Sequence, residues 1–500
     1  MPRNSICLNG QSLTLKEAES IADGSPVEIA PSCIQIIEDS RSYVERVANQ
    51  EFPVYGINTG FGYFANTRVE KKDLELLQEN IIKSHAAGQG PPLSIPETRL
   101  MMALRLNVLL KGFTGVRKEL CFLLRDLINK EMYPIVPQNG SVGASGDLAP
   151  LAHLALPLIG LGQVSYRDQL CPAHEALQQE GLKPLKLEEK EGLGLINGTQ
   201  AMLAVGSLSL VEGFRLFHLA NRAMALTFEG MNGNISCLNP LIHQERHQKG
   251  QIKAAQEIRD LLADSEVWDG DFTPLRLQDP YSLRCTPQVH GPSLDVLNYA
   301  KTIIENELNA ATDNPLVFVS EESIVSGGNF HGQALALPFD FCAIGLSELS
   351  NISERRLELL LNPHSSQLPA FLSPHEGLES GYMALQYLAA SLVNQNKHLA
   401  NPNATDSIPG NVGVEDHVSM GMNGAIKLRE LTKNLRVVLT IELIVAAQAI
   451  DMRGRKRLGK GTKKIYECVR SIVPYLDKDR IPSEDVALLL KNLEPIMEIT

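Results

Sequence analysis

Residues 140–154 read Gly-Ser-Val-Gly-Ala-Ser-Gly-Asp-Leu-Ala-Pro-Leu-Ala-His-Leu. Within them, Ala144-Ser145-Gly146 can turn the backbone itself into an electrophile. The amide nitrogen of Gly146 attacks the carbonyl carbon of Ala144. One water leaves as the ring closes, and a second leaves from the Ser145 β-hydroxyl. The product is a 4-methylidene-imidazol-5-one ring (MIO) with an electron-poor methylene. Each residue type has its reason. Gly146 has no side chain, so its nitrogen can approach the carbonyl closely. Ala144 adds little bulk. Ser145 carries the only group that can be eliminated to leave a double bond. Gly143 and Gly146 make the sharp bend feasible. Taken alone, the triplet is equally an ordinary Gly-Ser turn before a helix.

Elimination of an amine is chemistry that needs such an electrophile. The α-amino group is a poor leaving group and the β-proton is barely acidic. A positioned base supplies about 3–5 kcal/mol, against the roughly 8–23 kcal/mol by which enzymes lower barriers. No lysine sits in a recognisable cofactor motif, so the Ala144–Gly146 ring is the candidate. Tyr55, in Tyr55-Gly-Ile-Asn-Thr-Gly-Phe-Gly62, reads on its own as either a packed aromatic or a base. Its hydroxyl, with a reference pKa of about 10, needs an electropositive, desolvated site for that task. Arg284, in Gln278-Asp-Pro-Tyr-Ser-Leu-Arg284, can hold a carboxylate as a bidentate pair or form a local ion pair with Asp279. Tyr281 precedes it by three residues, so one helical turn can present both.

The run GSVGASGDLAPLAHLAL resembles the defining segment of the MIO-dependent aromatic amino acid ammonia-lyases and aminomutases, with the histidine ammonia-lyases as the closest branch. The resemblance extends from about residue 8 to the end of the chain. It implies that Tyr55 takes the β-proton and that Arg284 binds the substrate carboxylate. It places Tyr281 and Gln278 beside the ring, and gives Asn197 of Leu195-Ile-Asn-Gly-Thr-Gln200 a hydrogen bond near ring and substrate. The same resemblance has Phe330 line the pocket and His85 of Ser84-His-Ala-Ala-Gly88 face the substrate side chain. Histidine lyases place a glutamate where this chain has Gln395, and residues 406–421 keep the ends of their segment but alter its middle. The expected reaction is L-histidine to trans-urocanate, with L-tyrosine or L-phenylalanine, or a 2,3-aminomutase reaction, as alternatives. The resemblance also implies a homotetramer whose sites mix loops from several subunits, with no external cofactor and no metal.

The elements that must position these residues read as helices. The expected fold is mainly α: an elongated bundle of long helices, a loop-rich N-terminal region carrying the ring, and few short strands. An approximate boundary separates residues 1–225 from 226–500 within one continuous fold. Thr14-Leu-Lys-Glu17 is a capping box. Apolar residues recur at helical spacing in 69–84, 95–112, 116–131, 251–263 and 289–311. Segments near 197–229, 332–361, 376–400 and 419–450 are apolar on more than one face, the pattern of helices buried by several neighbours. Leu316–Val319 and Ile324–Val325, around residues 320–323, predict a hairpin.

Bulk properties narrow the function classes. The 500 residues hold 46 basic and 58 acidic side chains, a net charge of -12. That opposes general nucleic-acid or acidic-membrane binding. Against this average, Arg453–Lys464 holds seven basic residues and no acidic one, and is read as solvated surface. The eight cysteines include no Cys-x-x-Cys pair, and the N-terminus lacks an apolar signal core, so a reducing cytoplasm is expected. The uncharged stretch Gly192–Val211 contains polar residues and lacks aromatic anchors, which favours a helix buried in protein over a membrane span. His243-Gln-Glu-Arg-His247 has its glutamate misplaced for a zinc motif and is read as a surface helix end. Gly192-Leu-Gly194 lacks the third glycine and the preceding strand of a dinucleotide fingerprint.

Overall fold

The computed structural model describes residues 4–455 and 457–499. It is mainly helical, and among the described residues the strands form only four small sheets. Chain contacts define two compact units. The first comprises Met1–Val211, Ala300–Asp340 and Pro402–Ile426; the second comprises Glu212–Tyr299, Phe341–Asn401 and Lys427–Thr500.

In the first unit, strands Ile6–Leu8 and Val27–Ile29 pair in parallel around helix Leu15–Ala22. The Thr14 capping box that opens this helix is formed on both sides, hydroxyl to the Glu17 amide and Glu17 carboxylate to the Thr14 amide. Ser94 and Glu97 repeat the device at helix Ile95–Leu109, whose residues from Glu97 onward are all buried. Helix Lys118–Asn129 instead buries one face, through Leu120, Leu123, Leu124, Leu127 and Ile128. The expected hairpin is present as Leu316–Phe318 antiparallel to Ser323–Val325. Strand Gln89–Pro92 pairs with Pro137–Asn139, which ties the segment after helix Leu74–His85 to the segment leading into Gly143. A fully buried ion pair, Lys190 with Asp313 at 2.7 Å, lies in this unit.

The second unit includes helices Lys249–Leu261, Met383–Leu399 and Lys460–Ile472. Its core holds the Glu442 carboxylate, which accepts from Arg356 Nε at 2.5 Å, Ser353 Oγ at 2.5 Å and Thr227 Oγ1 at 2.8 Å. This satisfies a charge that burial would otherwise penalise. The longest helices are Gln200–Gly230, Gln333–Leu361 and Gly421–Arg453. The first two are long and apolar enough to cross a bilayer, yet 67% of each apolar window is buried inside the protein.

Several expectations need correction. The uncharged stretch 192–211 is broken: helix Glu191–Ile196 ends at Asn197, whose backbone is extended, and a new helix begins at Gln200. The helix expected over 376–400 starts at Met383, because Gly377 and Gly381 take left-handed backbone angles, φ 86° and 54°, that a helix excludes. The basic stretch is not simply solvated. Arg455 has a side chain only 2% exposed, donating to Glu229 O and Glu266, and Arg453 donates to Gly230 O. Lys456 lies outside the described residues. His247 is the exposed helix end expected, but His243 is buried between the Cys237 carbonyl at 3.0 Å and the Gln251 amide at 2.9 Å.

Candidate active site

The Ala144–Gly146 bend is built from close backbone approaches. Gly143 and Gly146 have φ values of 69° and 74°, a region that L side chains disfavour. A Cβ on Gly146 would collide with the carbonyl of Gly198, and one on Gly143 with Ser419 Oγ. The two strands of the bend are held directly. Asp147 N donates to Gly198 O at 2.7 Å, and Asn197 Nδ2 donates to Ser145 O at 3.1 Å. Ser419 Oγ donates to Gly143 O at 3.0 Å, and Met420 N to Val142 O at 2.9 Å. Leu148, immediately downstream, is held at φ 47°. That conformation costs a non-glycine residue about 1–3 kcal/mol and persists only where its surroundings enforce it.

Asp147 anchors the bend from below. It is fully buried, and its carboxylate accepts from the amides of Ala201 at 2.6 Å and Met202 at 3.3 Å, the first turn of helix Gln200–Gly230. Burial pushes its pKa up to about 7, opposed by those amides, by Ser141 and by Arg105. A carboxylate at a helix N-terminus is favourable both to the free amides and to the helix dipole.

The bend opens onto a cavity of about 1020 Å³ lined by Tyr55, His85, Ala144, Ser145, Asn197 and Phe330, among others. This is ample for an amino acid side chain. Six residues singled out in the sequence therefore converge on one space, although they lie in five separate loops or helix ends. Tyr55 accepts a hydrogen bond from Gly62 N at 3.4 Å. Burial pushes its hydroxyl pKa above the ordinary tyrosine value; Glu415 and Asp313 raise it further, and the Gly62 amide lowers it. His85 closes helix Leu74–His85 and places Nδ1 2.9 Å from Ile81 O. A ring that donates from Nδ1 to that carbonyl as the neutral tautomer leaves Nε2 as an acceptor. Asn197 Oδ1 is buried without a partner, an unmet acceptor beside Ser145.

The residues fit the ring. The bend has a glycine at each point of closest approach, and its serine hydroxyl reaches the cavity, donating to Glu415 Oε1 at 2.9 Å. The orphaned Asn197 oxygen offers an acceptor beside it. A profile of the aromatic amino acid lyases matches residues 13–471. The chain belongs to that family. It is 49% identical over 488 residues to a histidine ammonia-lyase of Stigmatella aurantiaca, covering 97% of this chain and 96% of the relative. Among solved structures, it resembles histidine ammonia-lyase from Trypanosoma cruzi, with TM-score 0.91 and 40% identity, covering 98% of this chain and 93% of the other. It also resembles tyrosine aminomutase from Streptomyces globisporus, with TM-score 0.94 and 35% identity, covering 99% of each chain. As a member of this family the protein is a carbon–nitrogen lyase.

Four residues from the family's motifs are not among those lining the cavity. Gln278, Tyr281, Arg284 and Gln395 all belong to the second unit. Tyr281–Arg284 does form one helical turn, with the Arg284 guanidinium 4.8 Å above the Tyr281 ring. Arg284 Nε donates to the backbone oxygen of Asp279 at 3.1 Å, and not to its carboxylate. That carboxylate accepts from Asn234 N at 2.6 Å. Gln395 is exposed on helix Met383–Leu399.

The cavity also holds residues that sequence reasoning passed over: Glu415, Asp416 and His417 from the altered segment 406–421, and His331 beside Phe330. The rings of His331 and His417 stack at 5.7 Å, and His331 Nε2 lies 3.2 Å from His417 O. The departure of 406–421 from the family pattern was the available signal. It marked the segment without saying which of its side chains would face Ser145.

Proposed function

We propose that this lyase is an ammonia-lyase that eliminates ammonia from L-histidine to release trans-urocanate, using an MIO group formed from Ala144, Ser145 and Gly146. The observation that carries the reading is the meeting of Ser145, Tyr55, Asn197 and His85 in one cavity. The ring supplies an electron-poor methylene that makes the amine a leaving group. The chain's own groups do the rest. Tyr55 receives the β-proton. His85 Nε2 accepts from the substrate imidazole N–H, and Phe330 packs against its ring. Relatives named histidine ammonia-lyase, at 47–49% identity over nearly the whole chain, support histidine over other aromatic side chains.

The neighbouring carboxylates of Glu415 and Asp313 oppose ionisation of Tyr55. A base there needs positive charge from outside, which the substrate ammonium and Arg284 of a second copy would bring. The enzyme is accordingly a homotetramer in this reading, with Gln278, Tyr281, Arg284 and Gln395 delivered by neighbouring copies. Eight free cysteines fit a reducing cytoplasm as its compartment.

The test is a substrate panel on the purified protein, reading free ammonia, the unsaturated acid by absorbance and β-amino acid by chromatography. Urocanate and ammonia in equal amounts are expected from L-histidine. A cinnamate-type acid from tyrosine or phenylalanine would reassign the substrate, and a β-amino acid would make the enzyme an aminomutase. The intact chain should weigh less than its sequence by two waters; a full-weight chain that is active would refute the ring.

A further inference from the structure

Gly198 is held from both sides. On one side lies Gly146, so close that a Cβ there would strike the Gly198 carbonyl. On the other stand Arg105, Gln200 and Thr312: a Cβ on Gly198 would meet Arg105 Nη1 and Thr312 O at 2.6 Å, and the Gln200 side-chain oxygen closer still. None of these three lines the cavity.

The Arg105 guanidinium is completely buried. Its Nη1 donates to Asn197 O at 2.9 Å and to Gln200 Oε1 at 2.8 Å, and its Nη2 donates to Gly194 O. Gln200 Nε2 in turn donates to Thr312 Oγ1 at 2.6 Å. The cation thus satisfies the free carbonyls where helix Glu191–Ile196 ends. Burial draws its pKa down to about 10, and the carboxylates of Asp313 and Asp147 work against that fall, so it stays charged at neutral pH. Taking a guanidinium out of water is costly and is repaid only by well-placed partners. Here its hydrogen bonds go to a single short segment, residues 194–200, which touches the reactive bend.

We propose that Arg105 is a positioning residue for ring closure, fixing Gly198 as a rigid wall against which the Gly146 nitrogen is pressed toward the Ala144 carbonyl carbon. The inference rests on the function proposed above. In the step it assists, a bond forms between Gly146 N and Ala144 C. The Ala144 oxygen leaves as water with the protons of Gly146 N and Ser145 N. Ser145 then loses its Cα proton and hydroxyl as the second water. No oxidant or reductant takes part. Because the reacting atoms must be held at near-contact distance, a retreat of the wall by about 1 Å is enough to cost up to about a hundredfold in rate.

The test compares wild type, Arg105→Met and Arg105→Lys, with Ser145→Ala as a folded control that cannot lose the second water. Intact-protein mass is read on the soluble fraction at a fixed time after synthesis, with circular dichroism and thermal melting as fold checks. Wild type is expected two waters lighter. Folded Arg105→Met is expected to show a ring-bearing fraction reduced by about tenfold or more, and Arg105→Lys, which keeps the charge, is expected to recover part of it. If Arg105→Met does not fold, Gln200→Leu decides, since it removes the amide joining Arg105 to Thr312: retained water supports the proposal, complete loss of both waters overturns it. A folded Arg105→Met whose chains have all lost both waters overturns it while leaving the function reading intact. A wild-type chain at full weight removes the function reading first.

Discussion

Ser145 and Glu415 form the contact on which the residue-scale chemistry turns, hydroxyl to carboxylate at 2.9 Å. Ser145→Ala removes the only eliminable group. It should leave a folded chain that keeps the second water and shows no detectable elimination, read by mass and by ammonia release; near-normal turnover would refute the mechanism. Glu415 also raises the Tyr55 pKa by its charge. Glu415→Gln keeps the shape and removes that charge, so the phenolate becomes easier to form and the Tyr55 pKa falls. The rising, low-pH limb of kcat/KM should therefore move to lower pH, with a lower plateau because an acceptor is lost; a limb that stays in place would show that Tyr55 is not the base. The site was legible in the sequence where one residue type in a local motif has little other use, as with Ser145 and Tyr55. It was not legible for Glu415 or Asp147. A carboxylate's role depends on what the fold sets opposite it, and the groups opposite these two lie far along the chain.

At the scale of elements, the segment carrying His85 is held at Gly88, whose amide donates to His153 Nε2 at 3.0 Å. Only a neutral His153 can accept this bond, and burial lowers its pKa. The folded pKa lies below the unfolded one, so the bond's contribution is complete above about pH 6.5 and is lost as pH falls toward the lowered folded value. Melting temperature should decline over that acidic window in wild type. In His153→Gln, which accepts the bond without titrating, that part of the decline should vanish; an unchanged profile would assign the sensitivity elsewhere. The same scale shows what periodicity can convey. Helices Ile95–Leu109, Lys118–Asn129 and Gln333–Leu361 were visible because apolar spacing is a property of the helix itself. The break at Asn197–Thr199 lies inside an uncharged run, where Asn197-Gly198 is its turn signal. The guanidinium that donates to Asn197 O from ninety-two positions earlier leaves no local mark.

For the whole molecule, the question is what one copy lacks. Tyr281 is 70% exposed and Leu277 90% exposed, beside the arginine that the family motif assigns to the carboxylate. If a site needs Ser145 from one copy and Arg284 from another, two dead variants should repair each other. Co-expressed Ser145→Ala and Arg284→Met chains should recover measurable activity that neither shows alone. Failure of mixed oligomers to recover any activity would place both residues in the same copy's site. Gln395→Glu should raise histidine turnover by offering the imidazole a negative partner, and a fall would remove Gln395 from the substrate pocket. Nothing in helical periodicity speaks to how copies gather; only the family resemblance suggested it.

Asp147 grips the amides of Ala201 and Met202, and those amides converge only once the first turn of a long helix has wound. In the proposed reading, the catalyst is thus a product of maturation and not of translation. A nascent chain carries the serine but no cradle to bend it, so a newly made enzyme should be inert at first and gain competence with a lag. That delay would confine a reactive electrophile to chains that have already passed the test of folding.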